Sequence, residues 1–83
     1  IIVHGKVHGV CFRASTQTKA LEFNLTGSVR NLSNGTVEVH AEGSRDSIEK
    51  LIKWCQKGPP LAKVSRCDLN WITPKVINEF RLL

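Results

Sequence analysis

Residues 27–43 run Gly27-Ser28-Val29-Arg30-Asn31-Leu32-Ser33-Asn34-Gly35-Thr36-Val37-Glu38-Val39-His40-Ala41-Glu42-Gly43. Asn34-Gly35 is a strong hairpin turn signal, because both residue types accept the positive φ that a tight connection between twisted strands demands. On the returning side, Val37, Val39 and Ala41 alternate with Glu38, His40 and Glu42. That alternation predicts a strand with one apolar and one wet face. A half-buried hairpin in mid-chain needs elements on both sides to cover it.

Working outward, those elements are legible. On the N-terminal side, Phe12, Thr16, Ala20 and Phe23 recur at spacings of four, four and three, which lines one face of a helix. That helix should end near Asn24, a residue that tolerates the left-handed closing conformation. Ahead of it, Ile1 to Val7 is rich in β-branched residues and strand-like. On the C-terminal side, Ser44 can cap a helix carrying Ile48, Leu51, Ile52 and Cys55, which Lys57-Gly58-Pro59-Pro60 stops. Ala62 and Val64, then Cys67, Leu69 and Trp71, predict a strand with a one-residue slip near Arg66, as a bulge produces. Phe80 and Leu82 close a short last strand. The expected order is β-α-β-β-α-β with an extra terminal strand, an α+β sandwich of an antiparallel sheet with two helices on one face, in one domain spanning 1–83.

Composition narrows the partners. The net charge is +5 on 83 residues, which favours anions. No apolar run approaches the ~20 residues of a membrane helix. Cys11, Cys55 and Cys67 are odd in number and form no CxxC pair, so reduced thiols in a cytoplasmic protein are expected. The sequons at Asn24, Asn31 and Asn34 read as chance in turn-rich segments, since no signal peptide is expected ahead of them. The sequence contains no methionine and opens inside a strand, so the first strand is expected to extend further upstream.

The chemistry points to Gly5-Lys6-Val7-His8-Gly9-Val10-Cys11-Phe12-Arg13. A glycine loop that leads into a helix gathers unpaired N–H groups and the positive end of the helix dipole, and an arginine at the helix start adds a charge-assisted fork. Together they suit a phosphate. Taken as spacing alone, G-x-x-x-G-x-x-x-R fits a tight strand-to-helix turn with a solvated arginine equally well.

GKVHGVCFR resembles the acylphosphatase signature G-x-V-Q-G-V-x-F-R, and the stretch from Gly27 to Gly43 resembles that family's second motif, G-[aromatic]-x-[K/R]-N-x-x-x-G-x-V with a later glycine. The likeness continues through KGPPLAKV to the closing EFRLL and so covers nearly the whole chain. It implies the ferredoxin-like βαββαβ fold and the metal-independent hydrolysis of the carboxyl–phosphate bond of acyl phosphates, with no cofactor. It places the catalytic residues at Arg13 and Asn31 and the phosphate-binding loop at His8, Gly9, Val10, Cys11, Phe12 and Arg13. The implied partners are a small acyl phosphate and inorganic phosphate, with no nucleic acid and no membrane, for a cytoplasmic monomer. Two positions depart from the motifs: His8 replaces glutamine and Ser28 replaces an aromatic residue. A histidine can still donate one hydrogen bond to shape the loop, whereas Ser28 removes apolar cover.

Competing readings are weaker. His4, His8 and Cys11 lack a fourth ligand at any usual zinc spacing. Cys11 as a thiolate nucleophile fits an anion loop, but its position is unconstrained in the motif. Arg45, Lys50, Lys53 and Lys57 read as a solvated helix face. A basic RNA-binding module of this architecture would stack bases on aromatics of the central strands, and TVEVHAEG has none. An acylphosphatase-like domain of a larger carbamoyl-phosphate-using hydrogenase maturation protein is the other alternative.

Overall fold

In a computed structural model, which describes residues 1–75 and 78–83, the elements follow the expected order. They are β1 (Ile2–Lys6), α1 (Phe12–Glu22), β2 (Thr26–Asn31), β3 (Val37–Glu42), α2 (Arg45–Cys55), β4 (Lys63–Asp68) and β5 (Phe80–Leu82). The strands form one sheet in the order β4-β1-β3-β2-β5. The first four strands pair antiparallel. β5 adds to the β2 edge in parallel, with Val29 opposite Leu82, so the sheet as a whole is mixed.

The alternation in β3 has the predicted result. Val37 and Val39 are fully buried, as are their cross-strand partners Val3 and Val29. These four valines turn toward one core shared with Phe12 and Ala20 of α1 and Leu51 and Cys55 of α2. Both helices therefore cover the same face of the sheet, and they meet where the rings of Phe12 and Trp54 lie 5.5 Å apart. The opposite face is polar, crossed by the Arg30–Glu38 pair at 2.9 Å and the His40–Glu42 pair at 2.6 Å. Ser28 sits on that outer face opposite His40, so its departure from the aromatic residue removes cover on the side away from the helices.

Two details of β4 correct or refine the sequence reading. The slip expected near Arg66 is present: His4 pairs with Arg66 but Gly5 with Val64, which leaves Ser65 as the extra residue. A Cβ on Gly5 would collide with the carbonyl of Lys63, so this glycine serves close backbone contact at the bulge rather than the turn itself. The strand stops at Asp68, and Leu69 and Trp71 lie outside it. Alternation there predicts a longer strand, but among the described residues β4 has β1 as its sole ladder partner, and Asp68 already faces Ile2. Without a partner the pattern cannot be used, and Trp71 remains exposed beneath the guanidinium of Arg45, 5.2 Å from its ring.

Candidate active site

The register places three pieces of chain at one end of the sheet. β1 leaves at Lys6, α1 enters at Phe12, and the β2–β3 turn (residues 32–36) adjoins them because Val3 pairs with Val37. The connection from Val7 to Cys11 is fastened by its apolar members. Val7, Val10 and Phe12 are buried, while Gly9 and Cys11 are exposed and His8 is half-buried. Anchoring by alternate side chains leaves the backbone of the loop at the surface. Gly9 has φ +70° with open space around it, so it is the turning glycine of the loop.

Cys11 carries the loop into α1 in the left-handed conformation, φ 61° and ψ 25°. Few residues other than glycine adopt it, and it costs of order 1 kcal/mol. Its side chain caps nothing, and no acidic residue stands in the first turn of α1. The first intrahelical bond is donated by Ser15 to the Cys11 carbonyl at 3.0 Å. The amides of Phe12, Arg13 and Ala14 thus precede the helical ladder. The first acidic residue in the chain is Glu22, so nothing anionic from this segment competes for that end of the dipole.

Arg13 projects from the first turn, and its Nη1 donates to the carbonyl of Leu83 at 2.7 Å. Leu83 in turn donates its N–H to Val29 at 2.9 Å. One donor is used for anchorage and the rest of the guanidinium fork remains. This anchor was not foreseen, because a backbone carbonyl as acceptor leaves no mark on residue type.

Asn31 ends β2 two positions beyond Val29 and opposite Val37, both of which face the helices. Strand alternation therefore turns Asn31 to the same side of the sheet as α1, and it is exposed there because the strand has outrun the core. Its neighbourhood is stiff. Leu32 donates to the Thr36 carbonyl at 2.9 Å, and Asn34 Oδ1 accepts both Thr36 N–H at 3.1 Å and Thr36 Oγ1–H at 2.6 Å. His8, in the place of the motif glutamine, donates from Nε2 to the same Thr36 carbonyl at 2.8 Å. The expected shaping bond of His8 exists, and it reaches across to the hairpin.

The other candidate readings find little geometry. His4 bonds Asp68 at 2.8 Å while His8 bonds Thr36, so these histidines are engaged in different places. Among the described residues no three His, Cys, Asp or Glu side chains gather for a metal. Burial pushes the Cys55 thiol up to about 12. A groove of about 660 Å³ lies elsewhere, between Ile1, Ile2, β3, the start of α2 and the Leu69–Ile72 stretch. Glu38, Glu42 and Asp68 outnumber Arg45 among its charged lining residues, which suits an anionic substrate poorly.

A family description, Acylphosphatase, matches residues 1–82. The chain belongs to the acylphosphatase family. A relative from Methylococcus capsulatus named acylphosphatase is 51% identical over 70 residues, 84% of this chain and 76% of that protein. The solved structure of an acylphosphatase from Coxiella burnetii superimposes with a TM-score of 0.96 at 48% identity, covering 99% of this chain and 86% of its own. HypF from T. kodakarensis matches with a TM-score of 0.81 and 37% identity over 96% of this chain but only 11% of its own. The acylphosphatase fold therefore also occurs as a small part of a much longer protein.

Proposed function

We propose that this acylphosphatase-family chain, residues 1–83 acting as one unit, hydrolyses small acyl phosphates to a carboxylate and inorganic phosphate without a metal. The observation that carries the reading is the uncapped start of α1, with Arg13 in its first turn and Asn31 turned to the same side of the sheet. In this reading the loop amides of residues 8–13 and the guanidinium of Arg13 hold the three phosphoryl oxygens and spread their charge. The side-chain amide of Asn31 orients a water in line with the P–O bond that breaks. The water oxygen bonds to phosphorus as the carboxylate departs with the bond's electron pair, and the water's second proton passes to solvent. A carboxylate is a weakly basic leaving group and needs no strong acid, so placement and electrostatics suffice.

The basic loop and the lack of aromatic residues in the central strands β1 and β3 support a small anion rather than a nucleic acid as partner. Three unpaired cysteines support a reducing, cytoplasmic setting, and we assign a monomer. No helix among the described residues is long and apolar enough to cross a membrane.

The test is hydrolysis of benzoyl phosphate and carbamoyl phosphate side by side, in excess chelator, by the parent and by Asn31→Ala. Parent turnover of benzoyl phosphate should persist in chelator. Asn31→Ala should lose roughly 10²-fold in kcat, the scale of one preorganised polar contact, with phosphate affinity nearly unchanged. Turnover of carbamoyl phosphate alone would favour the role of a piece of a larger protein, and near-normal kcat in a folded Asn31→Ala protein would sink the mechanism.

A further inference from the structure

We propose that His8 is a positioning residue that makes the phosphate loop and the water-orienting Asn31 move as one unit, an inference that rests on the function proposed above. The bond from His8 Nε2 to the Thr36 carbonyl, 2.8 Å long, spans 28 residues of sequence and joins the loop to the hairpin turn. Because a carbonyl only accepts, Nε2 carries the proton in this arrangement. The same carbonyl accepts the N–H of Leu32, the residue that directly follows Asn31. A displacement of His8 is therefore passed through one shared acceptor to the peptide next to Asn31.

The receiving side is rigid enough to transmit it. Thr36 is 6% exposed, and its N–H and hydroxyl are both held by Asn34 Oδ1. On the loop side, Val7 and Val10 are pinned in the core, whereas Gly9 between them has no neighbouring atoms within contact of a would-be Cβ. Without the His8 bond, the His8–Gly9 stretch would keep its ends and lose its middle. In-line transfer from a fixed water to a held phosphoryl group depends on their relative position, and misplacement of about 1 Å is worth up to ~10²-fold in rate. The sequence signal that marks the role is the substitution itself: histidine and the motif glutamine share little except a planar N–H donor at the end of a side chain.

The experiment compares the parent, His8→Ala, His8→Asn, His8→Gln, Asn31→Ala and the His8→Ala/Asn31→Ala double variant. It reads kcat on benzoyl phosphate, thermal protection by inorganic phosphate, and a melt to confirm folding. His8→Ala should lower kcat by roughly 10- to 100-fold while protection by phosphate persists. His8→Asn, too short to reach Thr36, should behave alike and stands in if the alanine variant does not fold. His8→Gln should restore kcat to within about threefold of the parent, since its amide supplies the same donor. If His8 acts through Asn31, the double variant should be no slower than Asn31→Ala alone. Multiplied losses in the double variant, failure of glutamine to rescue, or parental kcat in both His8→Ala and His8→Asn would overturn the role of His8 and leave that of Asn31 standing. A near-normal Asn31→Ala would instead remove the underlying mechanism and His8's role together.

Discussion

Helix α2 starts at Ser44, whose hydroxyl accepts the N–H of Ser47, and Asp46 occupies its first turn. Helix α1 starts at Cys11, in a left-handed conformation, with neither a side-chain cap nor an acid behind it. Both are 11 residues long and both cover the same sheet. The contrast lies in what satisfies their first N–H groups. A serine cap and a first-turn carboxylate are each worth ~0.3–2 kcal/mol, and α2 takes both from its own sequence. α1 takes neither, so its dipole and free amides are available to an anion from outside. One terminus is finished by the fold; in the function proposed above, the other is finished by a phosphate.

The largest expected effect breaks this contrast at α1. Arg13→Ala removes the charge that supplements the open helix end, and turnover of benzoyl phosphate should fall on the order of 10³-fold or more, as for arginines that stabilise a transferring phosphoryl group. Inorganic phosphate should raise the melting temperature of the parent and scarcely that of the variant. Equal protection of both would place the anion somewhere other than the α1 terminus. The variant also frees the Leu83 carbonyl, so its melt in the absence of phosphate separates lost anchorage of β5 from lost binding.

How far such contrasts were visible beforehand depends on whether the deciding atom belongs to a side chain. The Asn34-Gly35 turn, the Ser44 cap and the stop at Gly58 were legible because each is a property of residue type. So was the bulge at Ser65, since a slipped alternation is a side-chain pattern. The end of β4 was not: Leu69 and Trp71 carry a strand pattern, but pairing depends on where β1 runs. The parallel docking of β5, the Leu83 carbonyl beneath Arg13 and the Thr36 carbonyl beneath His8 were hidden for one reason, that every residue has a carbonyl. For the site, spacing alone left Arg13 between a phosphate ligand and a solvated side chain. The resemblance of two motifs selected Arg13 and Asn31, and the register then put them on one side of the sheet.

The other end of α2 gives an effect on stability that α1 should not share. Cys55 closes the helix inside the core, and burial raises its thiol from an ordinary 9.0 to about 12. Between those values the folded protein holds a proton that the unfolded chain has lost, so folding stability is intact below pH 9 and declines as pH rises toward 12. The decline approaches ~1.4 kcal/mol per pH unit for one group. Urea melts from pH 8 to 11 should show it, and Cys55→Val should make that part of the profile shallower, leaving the share of Cys67, whose thiol burial also raises. A parent profile as flat as that of the variant would show that the thiol is not the cause. Ser44→Ala is milder: it should cost about 1 kcal/mol in the same melts and leave kcat untouched, because the capped terminus lies away from the loop.

The smallest effect is expected at Cys11, and it sharpens the comparison most directly. If the start of α1 is open by design of the backbone, the Cys11 side chain contributes nothing that another residue tolerant of positive φ would not. Cys11→Gly removes the left-handed strain of order 1 kcal/mol but gives the unfolded chain more freedom, and these terms oppose each other at similar size. The net change in stability should stay within about 0.5 kcal/mol, with kcat near the parental value. Cys11→Ser should likewise keep most activity, since it retains the backbone and removes only the thiol. A collapse of activity in both variants, with phosphate trapped on the cysteine of the parent, would make the thiol a nucleophile. A collapse in the glycine variant alone would mean that the left-handed residue must be held rather than merely permitted. Retention in both leaves the open amides and Arg13 as what distinguishes the beginning of α1 from that of α2.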